Sequence, residues 1–148
     1  MPQEIDLQSV ENHLLGHGVE FAGFINRQGR IIDYVCENEI NLSQEQKDMF
    51  FMSTSLSLRM QGDYDDNFGV VQYIVTEREN SKIVSIPVST GTIVLVVNKD
   101  TALPMLVKKI LKAIDSMKRL NGNLPGSQIW KSIVSNPRIE NAISSCQT

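Results

Sequence analysis

The sequence has few of the residues on which most catalytic and metal sites depend. Its 148 residues include only two cysteines and two histidines, too few cysteines for a disulfide-stapled scaffold. No apolar run approaches the roughly 20 residues that a membrane-spanning helix needs. The start, MPQEIDLQSVEN, is polar and acidic, unlike a secretory signal. These absences predict a cytoplasmic protein in a reducing compartment, with Cys36 as a small hydrophobic residue in a strand.

Motifs that bind nucleotides or metals are missing or incomplete. Neither G-x-x-x-x-G-K-[ST] nor G-x-G-x-x-G occurs in the sequence. His13 and His17 have a helical spacing that can hold a metal, but no further cysteine or histidine lies near them. Asp63, Asp65 and Asn67 imitate the start of a calcium loop that lacks its glycine and its final glutamate. We therefore predict no metal site, no cofactor and no catalytic residue.

The overall composition is typical of one globular domain. Apolar residues make up 41% of the chain and charged residues 21%, as in ordinary soluble proteins. The charge is unevenly distributed, because residues 1–66 carry twelve acids and four bases, whereas residues 67–148 carry five acids and ten bases. Such asymmetry can mark a partner surface. Two solvated faces of one fold are the simpler explanation, since surface charge is the usual means of solubility.

Apolar runs predict five strands. Residues 19–25, apart from Glu20, and residues 92–97 are apolar on both faces, so we expect them to pair as central strands. Shorter or half-polar runs over 31–36, 70–76 and 82–88 supply the other three strands. Residues 4–15, the stretch after Ser43 and the stretch after Thr101 have helical patterns, and the polar run over 62–69 predicts a loop. Together with the strands, these elements predict an α/β fold of the α+β sandwich type. Its centre is a five-stranded antiparallel sheet flanked by helices on both faces, in the order α-β-β-α-β-β-β-α, with a C-terminal tail.

The helix that follows Ser43 has apolar groups on two sides. Ser43 and Gln46 have the spacing of a capping box. One side is a methionine stripe, formed by Met49, Met52, Leu56 and Met60. The opposite side, which we call the aromatic side, carries Phe50, Phe51, Thr54, Ser55 and Leu58. One side can cover the sheet, so the other needs a partner. We predict that the methionine stripe faces the sheet and the aromatic side faces the partner, with the reverse assignment open.

The chain beyond the last long helix begins with the linker NGNLPGS. The next residues, QIWKSIV, predict a short amphipathic helix whose apolar positions include Ile129, Trp130 and Ile133. A lone tail tryptophan either anchors the tail to its own domain or serves as a binding aromatic, and anchoring is the commoner role. We therefore expect one domain over 1–120, followed by a linker and tail over 121–148.

The order of elements resembles the Roadblock/dynein light-chain superfamily, within the longin- and profilin-like folds. The resemblance covers roughly residues 4–118. It rests on the hairpin V-x-x-A-x-x-I-N-x-x-G-x-I over Val19–Ile31, the two-faced helix after it, and three strands that end in IVLVV. In detail, FAGFINRQGRIIDYV, MFFMSTSLSLRMQGDYDD and SIPVSTGTIVLVV are similar to an uncharacterised archaeal family of small proteins.

This resemblance implies a non-enzymatic module that pairs with a second copy or a relative. Such domains lay their second helices side by side and join the strands after those helices into one sheet, and many regulate small GTPases. On this chain the pairing surface is the helix Ser43–Met60 with the strand Val70–Thr76. The implied interface residues are Phe50, Phe51, Thr54, Ser55, Leu58, Val70, Gln72 and Ile74. A homodimer is expected, with a small GTPase or another signalling protein as a further partner.

Other functions remain open at this point. A small-ligand sensor of profilin- or PAS-like architecture needs a cavity lined by convergent polar groups. An enzyme needs a cluster of perturbed titratable groups, such as Asp33, His13 and Glu37 around one cleft. The lysines of the last long helix suit an anionic surface, but the apolar face opposite them is needed for the core. We therefore predict neither a membrane nor a nucleic-acid partner. The tail departs from the superfamily pattern and could cover the predicted interface.

Overall fold

One antiparallel sheet forms the centre of the protein. The computed structural model describes residues 18–36, 39–122 and 124–133. The strands follow the order β2-β1-β5-β4-β3 across the sheet. They are β1 (Val19–Asn26), β2 (Ile31–Cys36), β3 (Ile74–Glu77), β4 (Ser81–Val88) and β5 (Gly91–Asn98). The five-stranded antiparallel sheet predicted from the sequence is confirmed.

The helices of the described residues lie on both faces of this sheet. They are α1 (Gln44–Gln61), the short α2 (Asp65–Phe68), α3 (Leu103–Asn121) and α4 (Gly126–Ile133). A single 3-10 turn, Gly62–Tyr64, joins α1 to α2, where the sequence predicts a polar loop. That expectation is wrong because backbone bonds continue the helical path past Gly62, whose N–H bonds to carbonyls of the last turn of α1. The helix predicted over 4–15 lies outside the described residues.

The two fully apolar strands are neighbours in the middle of the sheet. Ala22 of β1 lies opposite Leu95 of β5, and Phe24 lies opposite Ile93. Strands covered on both faces read as continuous apolar runs, which is why the sequence identifies this pair correctly. The predicted central pairing is confirmed.

Each face of the sheet carries its own core. The larger core lies beneath α3 and α4, where α3 buries one apolar stripe that consists of Leu103, Leu106, Val107, Ile110, Ala113, Ile114 and Met117. The smaller core lies beneath α1 and consists of Phe21, Ile25, Cys36, Phe51 and Val94. The α1 face is therefore the less completely covered face.

The edge strand β2 is irregular. Phe24 pairs with Asp33, but the next residue, Ile25, pairs with Ile31, so Ile32 is bulged out of the ladder. Bulges twist an edge strand and disfavour pairing with a further strand. The outer side of β2 is thus poorly suited to extend the sheet.

The opposite edge strand, β3, is regular but shorter than the sequence predicts. It begins at Ile74, which pairs with Ser85 of β4, and not at Val70. Continuing this register by two residues would bring Gln72 opposite Pro87. Proline has no N–H to give to a ladder, which explains why residues 70–73 leave the sheet.

Cys36 lies at the end of β2 with its side chain buried. Its predicted place, as a small buried residue in a strand, is confirmed, but its sulfur is engaged in a disulfide that the sequence did not predict. The chain's other cysteine, Cys146, lies outside the described residues. Cysteine usage therefore no longer supports a reducing, cytoplasmic compartment, which stays a prediction.

Gly29 allows α1 to approach the β1–β2 turn. Its φ is +81°, and a Cβ added there would lie 2.5 Å from the backbone Cα of Met52 in α1. We expect Gly29→Ala to lower the free energy of unfolding by about 2–4 kcal/mol, through left-handed backbone strain and overpacking. Chemical denaturation measures this change.

Gly62→Ala is the matched control for this prediction. Gly62 has a helical φ of −60°, and the nearest atom to an added Cβ is 3.9 Å away. We expect that variant to change stability by less than about 1 kcal/mol, in the stabilising direction. Equal effects of the two substitutions would contradict the close contact between the turn and α1.

A candidate protein-interaction surface

The start of α1 is set by local hydrogen bonds. The Ser43 hydroxyl accepts from the backbone N–H of Gln46 at 3.2 Å, and the Gln46 side chain accepts from the Ser43 N–H at 2.9 Å. The predicted capping box is confirmed. It satisfies two backbone donors and fixes where the helix begins, but not which side faces the sheet.

The rotation of α1 is set by contacts between its aromatic side and β1. Phe51 is 4% exposed and stacks on Phe21, with ring centroids 5.9 Å apart. One turn later, the buried Ser55 hydroxyl donates to the backbone carbonyl of Arg27 at 2.7 Å. An aromatic ring and a small polar side chain therefore hold the helix to the hairpin.

The predicted orientation of α1, with the methionine stripe towards the sheet, is wrong. The structure shows the alternative, in which the aromatic side faces the sheet and the methionine stripe faces outwards. Phe51 and Ser55 face the protein's own sheet, so they cannot contact a partner in this arrangement. Phe50, Thr54 and Leu58 are half-buried beside them. Phe51 gains a stacking partner on the sheet, and Ser55 permits close approach. Long, flexible methionines offer neither advantage and lose more side-chain entropy when buried.

The methionine stripe points away from the sheet. Its four side chains are between 50% and 65% exposed: Met49, Met52, Leu56 and Met60. Contiguous exposed apolar side chains on one helix face are typical of interaction sites. The stripe is therefore the principal apolar feature of α1 that the described residues leave uncovered.

An open groove of about 800 Å³ lies beside the stripe, between α1 and strands β4 and β5. Its floor is apolar and consists of Ile40, Leu42, Met49, Phe50, Ile83 and Val96. Its polar rim includes Glu45, Gln46, Ser53, Arg78 and Ser81. Sequence analysis missed this groove, because Ile83 and Val96 read as ordinary strand residues. The alternation of apolar residues along β4 and β5 does not show how much of the sheet one helix covers.

The regular edge of the sheet completes this surface. β3 is the outermost strand on the side of β4, and within the described residues no strand pairs with its outer side. Ile74 is its half-buried first residue, while Val70 and Gln72 are exposed outside the ladder. We refer to the methionine stripe, the groove and the outer side of β3 together as the α1–β3 face.

The C-terminal helix α4 lies on the opposite face of the sheet. Ile129 and Trp130 are buried in the larger core, Trp130 being 1% exposed. The Trp130 indole N–H donates to Asp33 Oδ2 at 2.9 Å. At the start of α4, the Gly126 N–H donates to the Thr90 hydroxyl at 3.2 Å. The described part of the tail thus does not cover the α1–β3 face. The side chain of Ile133 lies outside the described residues.

The residues considered for metal binding or catalysis do not converge in the described structure. Asp33 accepts the Trp130 hydrogen bond, whereas His13, His17 and Glu37 lie outside the described residues. Across residues 18–36, 39–122 and 124–133, no group of three His, Cys, Asp or Glu side chains is placed to hold a metal ion. No helix in that part of the chain is long and apolar enough to span a bilayer.

Comparison with solved structures identifies the fold. A Roadblock/LC7 domain from Streptomyces avermitilis has a TM-score of 0.55 and 11% identity, over 79% of this chain and 95% of that chain. The gliding protein MglB from Thermus thermophilus has a TM-score of 0.58 and 14% identity, over 81% of this chain and 91% of that chain. Schizosaccharomyces pombe profilin has a TM-score of 0.53 and 13% identity, over 78% of this chain and 98% of that chain.

The resemblance found in the sequence is thereby confirmed at the level of the fold. The chain has a Roadblock-like fold, which profilin shares in outline. No protein-family model matches the sequence, and no curated protein matches it. At these identities the likeness identifies architecture, so function has to be argued from the surface itself.

The buried Trp130 predicts that α4 is part of the folded core. We expect Trp130→Ala to lower the free energy of unfolding by about 3–5 kcal/mol, because it leaves a cavity and removes the hydrogen bond to Asp33 Oδ2. The neighbouring exposed Lys131→Ala should change it by less than about 0.5 kcal/mol. A similar small effect of both substitutions in urea denaturation would contradict the anchoring of α4.

Proposed function

We propose that this chain is a non-enzymatic dimerisation and scaffold module that pairs with a second copy through its α1–β3 face. The observation that carries the proposal is the exposed methionine stripe of α1, next to an apolar groove and a regular sheet edge. Each of these three features lacks a partner within the described residues. A second copy that contributes the same helix and strand would cover the stripe, fill the groove and pair with the outer side of β3.

The energetic argument starts from the apolar surface. Burial is worth roughly 25 cal/mol per Å², so four large side chains that are 50–65% exposed supply a substantial drive for association. A stable interface takes about 800 Å² from each partner. A helix laid in the groove beside α1 buries Met49 of the stripe together with Ile83 and Val96 on the groove floor. The joined strands then add backbone hydrogen bonds.

The two sheet edges differ in their suitability for this pairing. β2 is bulged at Ile32, whereas β3 pairs regularly from Ile74 to Glu77. A two-fold axis normal to the sheet joins two β3 strands antiparallel and keeps both α1 helices on the same side. The strand pairing and the helix pairing are therefore compatible in one symmetric dimer.

The open, apolar groove favours a protein partner over a small-ligand sensor function. A ligand pocket encloses most of its ligand and offers converging polar groups, whereas here the polar groups form a rim around an apolar floor. The Roadblock-like fold adds a further element to the proposal: the dimer acts as a platform or regulator for a small GTPase or another signalling protein.

We also propose that the scaffold unit comprises residues 1–120 and that residues 121–148 are an appended linker and tail. Burial of Ile129 and Trp130 in the larger core supports an anchoring role for α4 in this arrangement. An anchor on the α3 side leaves the α1–β3 face available to a partner.

The proposal is tested by sedimentation equilibrium of the intact chain. We expect the unmodified protein to be a dimer. Met52→Asp and Leu56→Asp should each give a folded monomer, because dimerisation would bury the new, unpaired carboxylate in the interface. Circular dichroism checks that both variants stay folded. Phe51→Asp should instead unfold the protein, since Phe51 belongs to the smaller core.

Lys112→Glu is the control for surface charge. Lys112 is exposed on α3, on the opposite face of the sheet, so the dimer should persist. If the unmodified protein stays monomeric at high concentration, the dimerisation proposal is wrong.

A further inference from the structure

A small hollow lies beside Cys36, between α1 and the edge strand β2. Its volume is about 100 Å³, well below the roughly 300 Å³ at which small-molecule pockets begin. It is therefore suited to an inserted side chain and not to a free ligand. We call it the β2 hollow, and its apolar lining consists of Phe21, Ile31, Tyr34, Cys36, Ile40 and Phe51.

The β2 hollow is separate from the α1–β3 face. The strand order places β2 at one end of the sheet and β3 at the other. The hollow is lined from β2, whereas the groove of the α1–β3 face is lined from β4 and β5, and Ile40 alone among the described lining residues belongs to both. An occupant of the hollow therefore leaves the groove open to a partner.

The sulfur of Cys36 joins this hollow to another segment. Cys36 is 2% exposed, lies among the lining residues and is disulfide-bonded. The sequence has one further cysteine, Cys146. The two sulfur atoms of a disulfide are about 2 Å apart. The partner of so buried a cysteine therefore belongs to a short segment that enters the hollow, and not to the outside of a second folded copy.

The residues before Cys146 have the pattern of an amphipathic helix. Asn136 followed by Pro137 is typical of an N-cap and a first helical residue. Four side chains then follow the i, i+3, i+4, i+7 spacing of one helix face: Ile139, Ala142, Ile143 and Cys146. Helices with this spacing dock in apolar hollows. The cysteine is thus predicted to lie on the face that docks.

We propose that residues 137–146 form a helix that docks its apolar face over the β2 hollow, with Ile143 inserted and a Cys36–Cys146 disulfide holding it there. Oxidation closes the hollow, and reduction opens it. The occupant of this surface is a segment of the chain itself, which lies outside the described residues. The inference goes beyond the proposed dimer, because the β2 hollow is not part of the α1–β3 face.

The path of the chain favours this docking site. Trp130 of α4 donates to Asp33, so α4 lies beside β2 on the α3 side of the sheet. Cys36 is three residues further along β2, and its side chain belongs to the smaller core on the α1 side. Because β2 is an edge strand, the chain can pass around its outer side to reach the other face.

The length of the segment is sufficient for this path. The helix α4 ends at Ile133, and extended residues from there to Pro137 span about 13 Å. A helix from Pro137 to Cys146 rises by about a further 14 Å. Passing from one helix layer to the other takes about 20 Å, since each layer is about 10 Å thick.

The switch works by thiol–disulfide exchange. Closure converts the thiols of Cys36 and Cys146 into one S–S bond, and an external disulfide such as oxidised glutathione takes up the two electrons and two protons and becomes two thiols. Opening is the reverse reaction, with two external thiols as the reductant. Docking of the helix keeps the two sulfurs together, so it raises their effective concentration and favours the closed form.

A tether without docking has to be distinguished from this arrangement. Because α4 is anchored beside β2, the chain after it stays near Cys36 even as a flexible coil, and a disulfide forms without a docked helix. That alternative predicts that the apolar side chains before Cys146 have no effect on the disulfide. Docking predicts that they decide its equilibrium.

The first measurement is peptide mapping of the intact chain with trypsin under non-reducing conditions. We expect residues 31–47 to be linked to residues 139–148, two hydrogen atoms lighter than the sum of the separate peptides. Treatment with dithiothreitol should separate the two peptides. If Cys36 is instead unlinked, or linked to a second copy of its own peptide, the proposal is wrong.

The second measurement is the equilibrium of the disulfide in glutathione buffers of varied ratio. We expect Ile143→Asp to lower the equilibrium constant for closure at least about tenfold, because its carboxylate would be buried in the hollow without a partner. Ser144→Asp adds the same charge on the opposite side of the predicted helix and should stay within about threefold of the original. Equal effects of both would mean a tether without docking.

The outcomes are independent of the proposed dimer. Cys146→Ser removes the disulfide, and its dimer Kd in sedimentation should stay within about threefold of the original, since the α1–β3 face is unchanged. A larger change would contradict the separation of the two surfaces. If the chain is monomeric in both redox states, the dimer proposal fails, and peptide mapping with the glutathione equilibrium still decides whether the segment docks.

Discussion

The stacking of Phe51 on Phe21 is the contact on which the rest of the functional surface depends. With the Ser55–Arg27 hydrogen bond, it fixes the rotation of α1 about its own axis. Consecutive helical residues are about 100° apart, so a rotation of about 100° would replace Phe51 by Met52 on the sheet. Because the aromatic ring occupies that position, the methionine stripe is left facing outwards.

The difference between the two faces of the sheet follows from this orientation of α1. The face under α3 and α4 is closed by a large core that includes Trp130, held by its bond to Asp33. Among the described residues, the other face carries one long helix over β1, so the β4 side retains an apolar groove. The larger core therefore lies on one side of the sheet, and the uncovered apolar surface lies on the other.

The sequence predicted the features that depend on local pattern. The capping box at Ser43, the central pairing of β1 with β5 and the apolar stripe of α3 all follow from short-range spacing or from continuous apolar runs. The predicted strand over 70–76 was too long, because the neighbouring Pro87 lies on β4 and its effect depends on register. The disulfide of Cys36 was missed for a related reason: the residues of its own strand do not show which cysteine it pairs with.

The sequence alone determined that α1 has more apolar surface than a single sheet can hide, since residues on both its sides are large and hydrophobic. Only the tertiary structure decided which side is hidden. Both sides have helical periodicity, and the choice between them rests on a ring on β1 and a backbone carbonyl in the β1–β2 turn. These groups are distant in sequence and meet α1 only after the hairpin has folded, so no spacing rule within α1 could have revealed the outward stripe.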